Sequence, residues 1–272
     1  MPRALGPVSA PLRFCRDHTE DRCVANQPII EILGIRVDNV TYEQALDHIE
    51  RFIVEGPAHQ VNTVNPEFIM AAQGDPGFAR ILNSSSLNLP DGQGLIWAAR
   101  LMGTPLQQRV TGVDTLIMLA QMAARKGYRM YLLGAAEGVA DVAARHLHDR
   151  FPGLEIVGTY AGSPALQEDE AIVSRISKTR PHLLFVAYGA PHQEKWIARN
   201  LPRLGVPVAM GVGGALDFIS GHSKRAPSWL RKLGLEWLHR LVHQPWRWRR
   251  MMALPRFAWL VLRKRLGSPF AG

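Results

Sequence analysis

The sequence predicts an α/β fold, a mainly parallel sheet with helices on both faces and a small helical C-terminal appendage. Three observations carry this reading. Short apolar strands alternate with amphipathic helical segments of 10–15 residues, the pattern of a sheet covered on both sides. Several strands run straight into Gly, Asn or Asp, at the carboxyl ends where open parallel sheets bind ligands. After Gly221 no further strand is readable, and the chain turns basic and rich in tryptophan.

Residues 1–27 are rich in Pro and charge and have no period, so they read as a disordered extension. They hold both cysteines, Cys15 and Cys23, without a metal-ligand motif, and a cysteine-free core suits a reducing compartment. Pro2, Arg3, Pro7, Pro11, Arg13 and Arg16 interrupt any signal-peptide-like apolar run. No stretch approaches the roughly 18 apolar residues of a spanning helix. The expected location is therefore cytoplasmic.

The core is expected over 28–221. Ile29 to Val37 reads as one strand, and Thr41 opens a helix with Gln44 in capping-box position. Further strands are expected at 59–64, 86–89, 128–133, 154–160, 182–188 and 206–211. Helices are expected at 66–73, 76–83, 93–102, 114–126, 137–150, 168–179, 192–200 and 215–220. The appendage is placed at 222–272, where Ala226-Pro227-Ser228-Trp229 begins a helical region that Gly234, Pro245 and Pro255 divide.

Charge is concentrated in that tail. From Lys224 onward there are 12 Lys/Arg and one acid, Glu236, a net +11 against +9 for the whole chain. Five of the seven tryptophans lie there: Trp229, Trp237, Trp246, Trp248 and Trp259. Arginine with tryptophan suits an anionic membrane surface, with indole at headgroup level and cations on lipid phosphate. The mixture also suits nucleic acid, and a plain solvated helix pair with tryptophans in its own core is a third reading.

Common nucleotide motifs are absent. There is no GxxxxGK[ST] loop, and Gly211-Val212-Gly213-Gly214-Ala215-Leu216 lacks the third glycine of the dinucleotide fingerprint. There is no acidic-x-acidic pair of the kind that holds Mn²⁺ or Mg²⁺ in a metal-dependent sugar transferase, so no metal and no cofactor is expected. Four strand-to-helix turns could carry chemistry. Asn62-Thr63-Val64-Asn65-Pro66 offers a hydroxyl and two amides, or merely a helix cap. Pro90-Asp91-Gly92-Gln93-Gly94 offers a carboxylate able to accept a proton, with glycines that would let a ligand approach the backbone, or merely a turn. Arg109 could meet a phosphate or a carboxylate, and Asp114 reads as an N-cap. Gly189-Ala190-Pro191-His192-Gln193-Glu194 starts a helix, where Gln193 could bond a diphosphate or sugar and Glu194 could serve the dipole or an ion pair. Gly213, Gly214 and Asp217 could cradle a nucleotide, with Asp217 accepting from base or ribose.

Together these segments resemble the WecG/TagA/CpsF glycosyltransferase family over about 29–255, with Lys224-Arg225-Ala226-Pro227 and Gly234-Leu235-Glu236-Trp237-Leu238-His239-Arg240 as further matches. The resemblance implies a Rossmann-like core and an inverting, metal-independent transferase that takes a UDP-sugar, often of N-acetylmannosamine type or a related hexose or uronic acid. It implies an undecaprenyl-diphosphate-linked saccharide as acceptor, in cell-surface polysaccharide synthesis, on the inner face of the cell membrane and without a nucleic-acid partner; self-association is left open. By the same resemblance Asp91 is the base, Thr63 and Asn65 its neighbours, and Gln193 and Asp217 the nucleotide side; Asn62, Arg109, Gly213 and Gly214 are expected as further substrate contacts from their own positions. The tail supplies arginines, here Arg240, Arg247 and Arg250. One departure is Gly162-Ser163-Pro164, where the family usually has Gly-Tyr-Phe. The rival classes are a nucleotide-dependent oxidoreductase and a non-catalytic basic nucleic-acid-binding protein.

Overall fold

The computed structural model describes residues 29–56, 58–223, 226–227, 230, 236–243 and 248–267. The extension expected at 1–27 lies outside them. The expected α/β architecture is present: a six-stranded, all-parallel sheet in the order β4-β3-β8-β7-β5-β6. Its strands are β3 (His59–Val64), β4 (Leu87–Pro90), β5 (Arg129–Gly134), β6 (Glu155–Tyr160), β7 (Leu183–Ala187) and β8 (Val208–Gly211).

The segment read as a single first strand is instead a hairpin outside this sheet, β1 (Ile29–Ile32) paired antiparallel with β2 (Ile35–Asp38). Leu33 and Gly34 both take positive φ, 50° and 82°, and reverse the chain in two residues. Reversal puts Ile30, Ile32, Ile35 and Val37 on one buried face. Side chains fix the hairpin to the sheet edge: Asn88 Nδ2 donates to Arg36 O at 3.0 Å, and Asn88 N donates to Asp38 Oδ2 at 2.6 Å.

Helices α1 (Tyr42–Glu55), α5 (Gly112–Lys126), α6 (Val139–Arg150) and α9 (Ala215–Ile219) cover one face. They pack on Val61, Leu89, Leu132, Phe185 and Met210. On the other face α7 (Asp169–Thr179) and α8 (His192–Leu204) pack on Tyr131, Leu133, Leu184, Val186 and Ala209, around the fully buried Trp196. The alternation of strand side chains assigns each residue its face. Helix α8 runs past its expected end at 200, through Pro202, because the proline falls in the last turn and the buried Leu204 holds that turn down.

A third apolar cluster joins the hairpin with α2 (Pro66–Gly74), α3 (Pro76–Ser84), α4 (Gln93–Leu101) and the last helix. After α10 (Glu236–His243) and α11 (Trp248–Met251), that helix, α12, spans Ala253–Gly267. Phe257 and Val261, four residues apart and so on one face, are buried in this cluster at 4% and 2% exposure. Trp259, Leu262 and Leu266 remain exposed on other faces. The end of the expected appendage is thus packed on the core. Among the described residues no helix is long and apolar enough to cross a membrane.

Candidate active site

The site forms along the carboxyl edge of β4, β3, β8 and β7. Parallel pairing sets Thr63 beside Leu89 and Val64 beside Pro90, so Asn65 and Asp91 leave the sheet as neighbours. Asp91 N donates to Val64 O at 2.7 Å. The Asp91 carboxylate turns toward α5, where Oδ2 accepts from Gly112 N, the first residue of that helix, at 3.2 Å. A backbone N–H at a helix start has no partner within its own helix, so the carboxylate oxygen supplies one. Val110 N bonds Pro90 O at 2.8 Å, which lays the chain along the end of β4, with Arg109 the residue before this bond. Thr63 Oγ1 donates to Gly211 O at 3.2 Å and ties β3 to the β8 turn. A Cβ at Gly112 would stand 3.1 Å from Thr63 Cγ2, so a larger residue there would have to push Thr63 or α5 aside by a few tenths of an ångström.

Asn65 caps α2, with Oδ1 accepting from Phe68 N at 3.1 Å, and Pro66 follows as the first helical residue. Gly92 takes φ 123° at the start of α4, beside Asn65 and Pro66. Gly94 does not open the backbone to a ligand as expected. A Cβ there would lie 2.7 Å from Pro66 Cγ, so the space is already filled by the neighbouring helix. Nor is Asp114 an N-cap: Thr111 caps α5, and Asp114 in its first turn accepts from Thr111 Oγ1 at 2.8 Å.

Gln193 joins the two glycine turns. Its Oε1 accepts from Gly189 N and from Gly213 N, each at 3.0 Å, while Nε2 donates to Glu194 Oε1 at 2.6 Å. Gln193 is 1% exposed and Glu194 is fully buried. A Cβ at Gly211 would meet Glu194 Oε1 at 2.6 Å and Gln193 Nε2 at 2.7 Å, so the pair packs directly beneath the β8 turn. Gly213 turns at φ 52°, Gly214 is exposed, and Asp217 Oδ2 folds back to 3.4 Å from where a Gly214 Cβ would stand. Helix α9, which carries Asp217 in its first turn, packs against α5 and α6.

Thr63, Asn65, Asp91 and Arg109 thus gather at β3 and β4, with Gly213, Gly214 and Asp217 across β8. Asn62 is not at this edge. It is fully buried one residue before Thr63 and on the opposite face, where Nδ2 donates to Ser85 Oγ at 2.7 Å and Asn88 Oδ1 at 2.9 Å. Arg240 lies in α10 and Arg250 in α11, while Arg247 is outside the described residues. Two residues missed by the sequence reading support the site. Gln60 Nε2 bonds both Asn62 Oδ1 and Glu194 O, at 3.0 and 3.2 Å. The Tyr42 hydroxyl accepts from Thr111 N at 2.9 Å and points its proton toward Thr111 Oγ1 and Asp114 Oδ2, both at 3.3 Å. Burial first, then the Asp114 charge, pushes the Tyr42 hydroxyl up to about 12, so it stays protonated and braces the start of α5. Neither residue stands in a recognisable motif. Among the described residues no group of three or more His, Cys, Asp or Glu side chains is placed to hold a metal.

A parallel sheet with a carboxylate, a helix start and two braced glycine turns on its carboxyl edge has the Rossmann-like architecture of nucleotide-dependent enzymes. The chain belongs to the WecG/TagA/CpsF family of glycosyl transferases, whose model matches residues 30–270. It is 36% identical over 220 residues to an N-acetylglucosaminyldiphosphoundecaprenol N-acetyl-beta-D-mannosaminyltransferase of Bacillus subtilis (strain 168), covering 80% of this chain and 85% of that one. Enzymes with the same printed activity from Bacillus spizizenii (strain ATCC 23059 / NRRL B-14472 / W23) and Staphylococcus aureus (strain MW2) are 34% and 30% identical. These cover 82% and 87% of this chain, and 86% and 93% of their own lengths. The protein is a glycosyltransferase.

Proposed function

We propose that this chain transfers a sugar of N-acetylmannosamine type, or a related hexose or uronic acid, from UDP to an undecaprenyl-diphosphate-linked saccharide in cell-surface polysaccharide synthesis. The reaction inverts the anomeric carbon and uses no metal. The observation that carries the reading is Asp91, a carboxylate at the strand edge oriented by Gly112 N and flanked by Thr63 and Asn65. The relatives' printed activity supplies the acceptor class and the type of sugar.

In this mechanism the acceptor hydroxyl gives its proton to Asp91 as its oxygen bonds the anomeric carbon. The bond from that carbon to the UDP oxygen breaks on the opposite side. General-base help of this kind contributes about 10²–10⁴-fold. Charge then grows on the departing diphosphate. The N–H groups of Gly189 and Gly213 are already committed to Gln193 Oε1, so Gln193 acts by shaping the turns rather than by touching the ligand. Stabilisation of the leaving group falls to Arg109 and to Arg240, Arg247 and Arg250 of the tail. Asp217 receives the base or ribose.

The tail also holds the enzyme peripherally on the inner face of the membrane. Trp248 and Trp259 are 55% and 58% exposed, and the segment from Lys224 carries a net +11. Such a surface suits anionic headgroups, where each Lys or Arg contributes about 1 kcal/mol.

The test is a panel of UDP-sugars with a polyprenyl-diphosphate saccharide, with and without EDTA. One donor is expected to be turned over, with inverted anomeric configuration and no loss in EDTA. No transfer from any UDP-sugar, a retained configuration, or rescue of an EDTA-treated enzyme by Mg²⁺ or Mn²⁺ would each overturn the corresponding part of the reading.

A further inference from the structure

A cleft of about 370 Å³ lies between α2, the turn into α8 and the start of α12. Its apolar walls are Met70 and Ala71 from α2, Ala190 and Pro191 from the turn, and Met252 and Ala253 from the tail. Two charged residues complete it, Glu67 and Arg256. Its volume falls in the roughly 300–1,000 Å³ range of small-molecule sites, which are mostly apolar with a few placed polar groups.

Its position is as informative as its lining. Glu67 stands two residues beyond Asn65, and Ala190 follows Gly189, whose N–H is held by Gln193. One part of the cleft therefore adjoins the reaction edge. Met252, 53% exposed, forms part of another wall, and Trp248, 55% exposed, lies one turn before it with Met252 N bonded to Trp248 O. Large apolar side chains left at the surface beside an apolar cleft mark a contact with something other than water. A ligand that joins an anion to an apolar chain can use the cation of Arg256 and the apolar walls, with its anion held at the Arg256 end and away from the Glu67 carboxylate. The guanidinium of Arg256 matches a phosphate in geometry and charge.

We propose that this cleft holds the first isoprenoid units of the acceptor lipid, with Arg256 on its diphosphate and the rest of the chain leaving past Met252 toward the membrane. The inference rests on the transferase reading for the identity of the acceptor, but it is tested by binding rather than turnover. The α12 wall is set by Phe257, one residue after Arg256, whose ring is buried in the cluster that contains α2 and α4. The site thus exists only when the tail is docked, which couples acceptor binding to tail placement.

The experiment uses the full chain and a farnesyl diphosphate analogue carrying a photoreactive benzophenone. Labelling is expected within 67–74 and 252–256. Excess farnesyl diphosphate is expected to compete at least ten times better than farnesol, and Arg256→Ala to erase that preference. Ala71→Trp and Ala253→Trp fill the cleft and are expected to cut labelling at least tenfold, with an unchanged melting curve and unchanged binding of UDP. A loss of folding in one tryptophan variant leaves the other and Arg256→Ala to decide. Labelling confined to the exposed Trp259–Leu266 face, labelling indifferent to both fillings, or equal competition by phosphatidylglycerol vesicles would overturn the proposal. If labelling follows the expected pattern while no UDP-sugar is transferred, the cleft stands and the transferase reading fails.

Discussion

Gln193→Met keeps the length of the side chain and removes its amide. Three bonds go at once: the two from Gly189 N and Gly213 N, and the one to Glu194 Oε1. Both glycines are half-buried, so their N–H groups regain water in part, and their joint loss is about 1 kcal/mol. Glu194 is fully buried, and an acceptor stripped of its donor there costs about 1–3 kcal/mol more. The expected loss is therefore about 2–4 kcal/mol, which at about 2–4 °C per kcal/mol lowers the melting temperature by roughly 4–16 °C. Gln193→Glu separates the two halves of the effect. It retains an acceptor for the glycines but sets a second carboxylate against Glu194. One carboxyl of that pair must then hold its proton, so its folded-state pKa is raised. Stability of this variant should fall as pH rises past the ordinary glutamate value of about 4.3. The assay is urea unfolding followed by circular dichroism at pH 5 and pH 8, with UDP binding measured on each folded variant. If Gln193→Met stays within about 0.5 kcal/mol of wild type and binds UDP equally well, the glutamine does not brace the two turns.

Phe257→Ala should cost about 3–5 kcal/mol, because it empties a buried ring site between α12, α2 and α4; urea unfolding checks this, and an unchanged midpoint would mean α12 is not docked. Gly94→Ala should destabilise by about 1–3 kcal/mol, since the new methyl meets Pro66 Cγ at 2.7 Å and the proline ring cannot swing away; the same titration reads it. His182 has its pKa lowered, first by burial and then by Arg129, and its Nδ1 accepts from Arg129 N at 2.9 Å. The unfolded state therefore binds the extra proton, and stability should drop as pH falls below about 6.5. His182→Asn should flatten that drop between pH 7.5 and 5.5 without abolishing it, because His59 and His48 are shifted in the same direction by burial.

The main sheet was legible because most of its strands are short, β-branched or apolar segments set between helical stretches and followed by turn residues; β3, with His59, Gln60, Asn62 and Thr63, is the least apolar of them. The hairpin was not, because Ile29 to Val37 is mostly apolar on both sides of the turn and the reversal hangs on one Leu33-Gly34 pair. Asp91 could be read as a site residue from its place at a strand end. The placement of Gln193 could not, since its partners are four and twenty residues away and meet only after β7 and β8 pair. Asn62 and Thr63 are adjacent in sequence but alternate across the sheet, and periodicity alone does not say which of them meets the opening. Tyr42 reads as an ordinary first-turn residue of an amphipathic helix, and only the fold brings its hydroxyl to Thr111. Phe257 and Val261 form too sparse a stripe to announce that α12 packs on the core.

The most direct test of the account is Asp91→Asn in the full chain, with UDP affinity and transfer to the lipid-linked acceptor measured on the same preparation. The asparagine retains an oxygen for Gly112 N and changes volume little, so fold and UDP affinity should match wild type. Turnover should fall by about 10²–10⁴-fold, the contribution of a general base. A turnover within about threefold of wild type, a tenth or less of the smallest general-base effect, would contradict the assignment of Asp91 as the residue that takes the acceptor's proton.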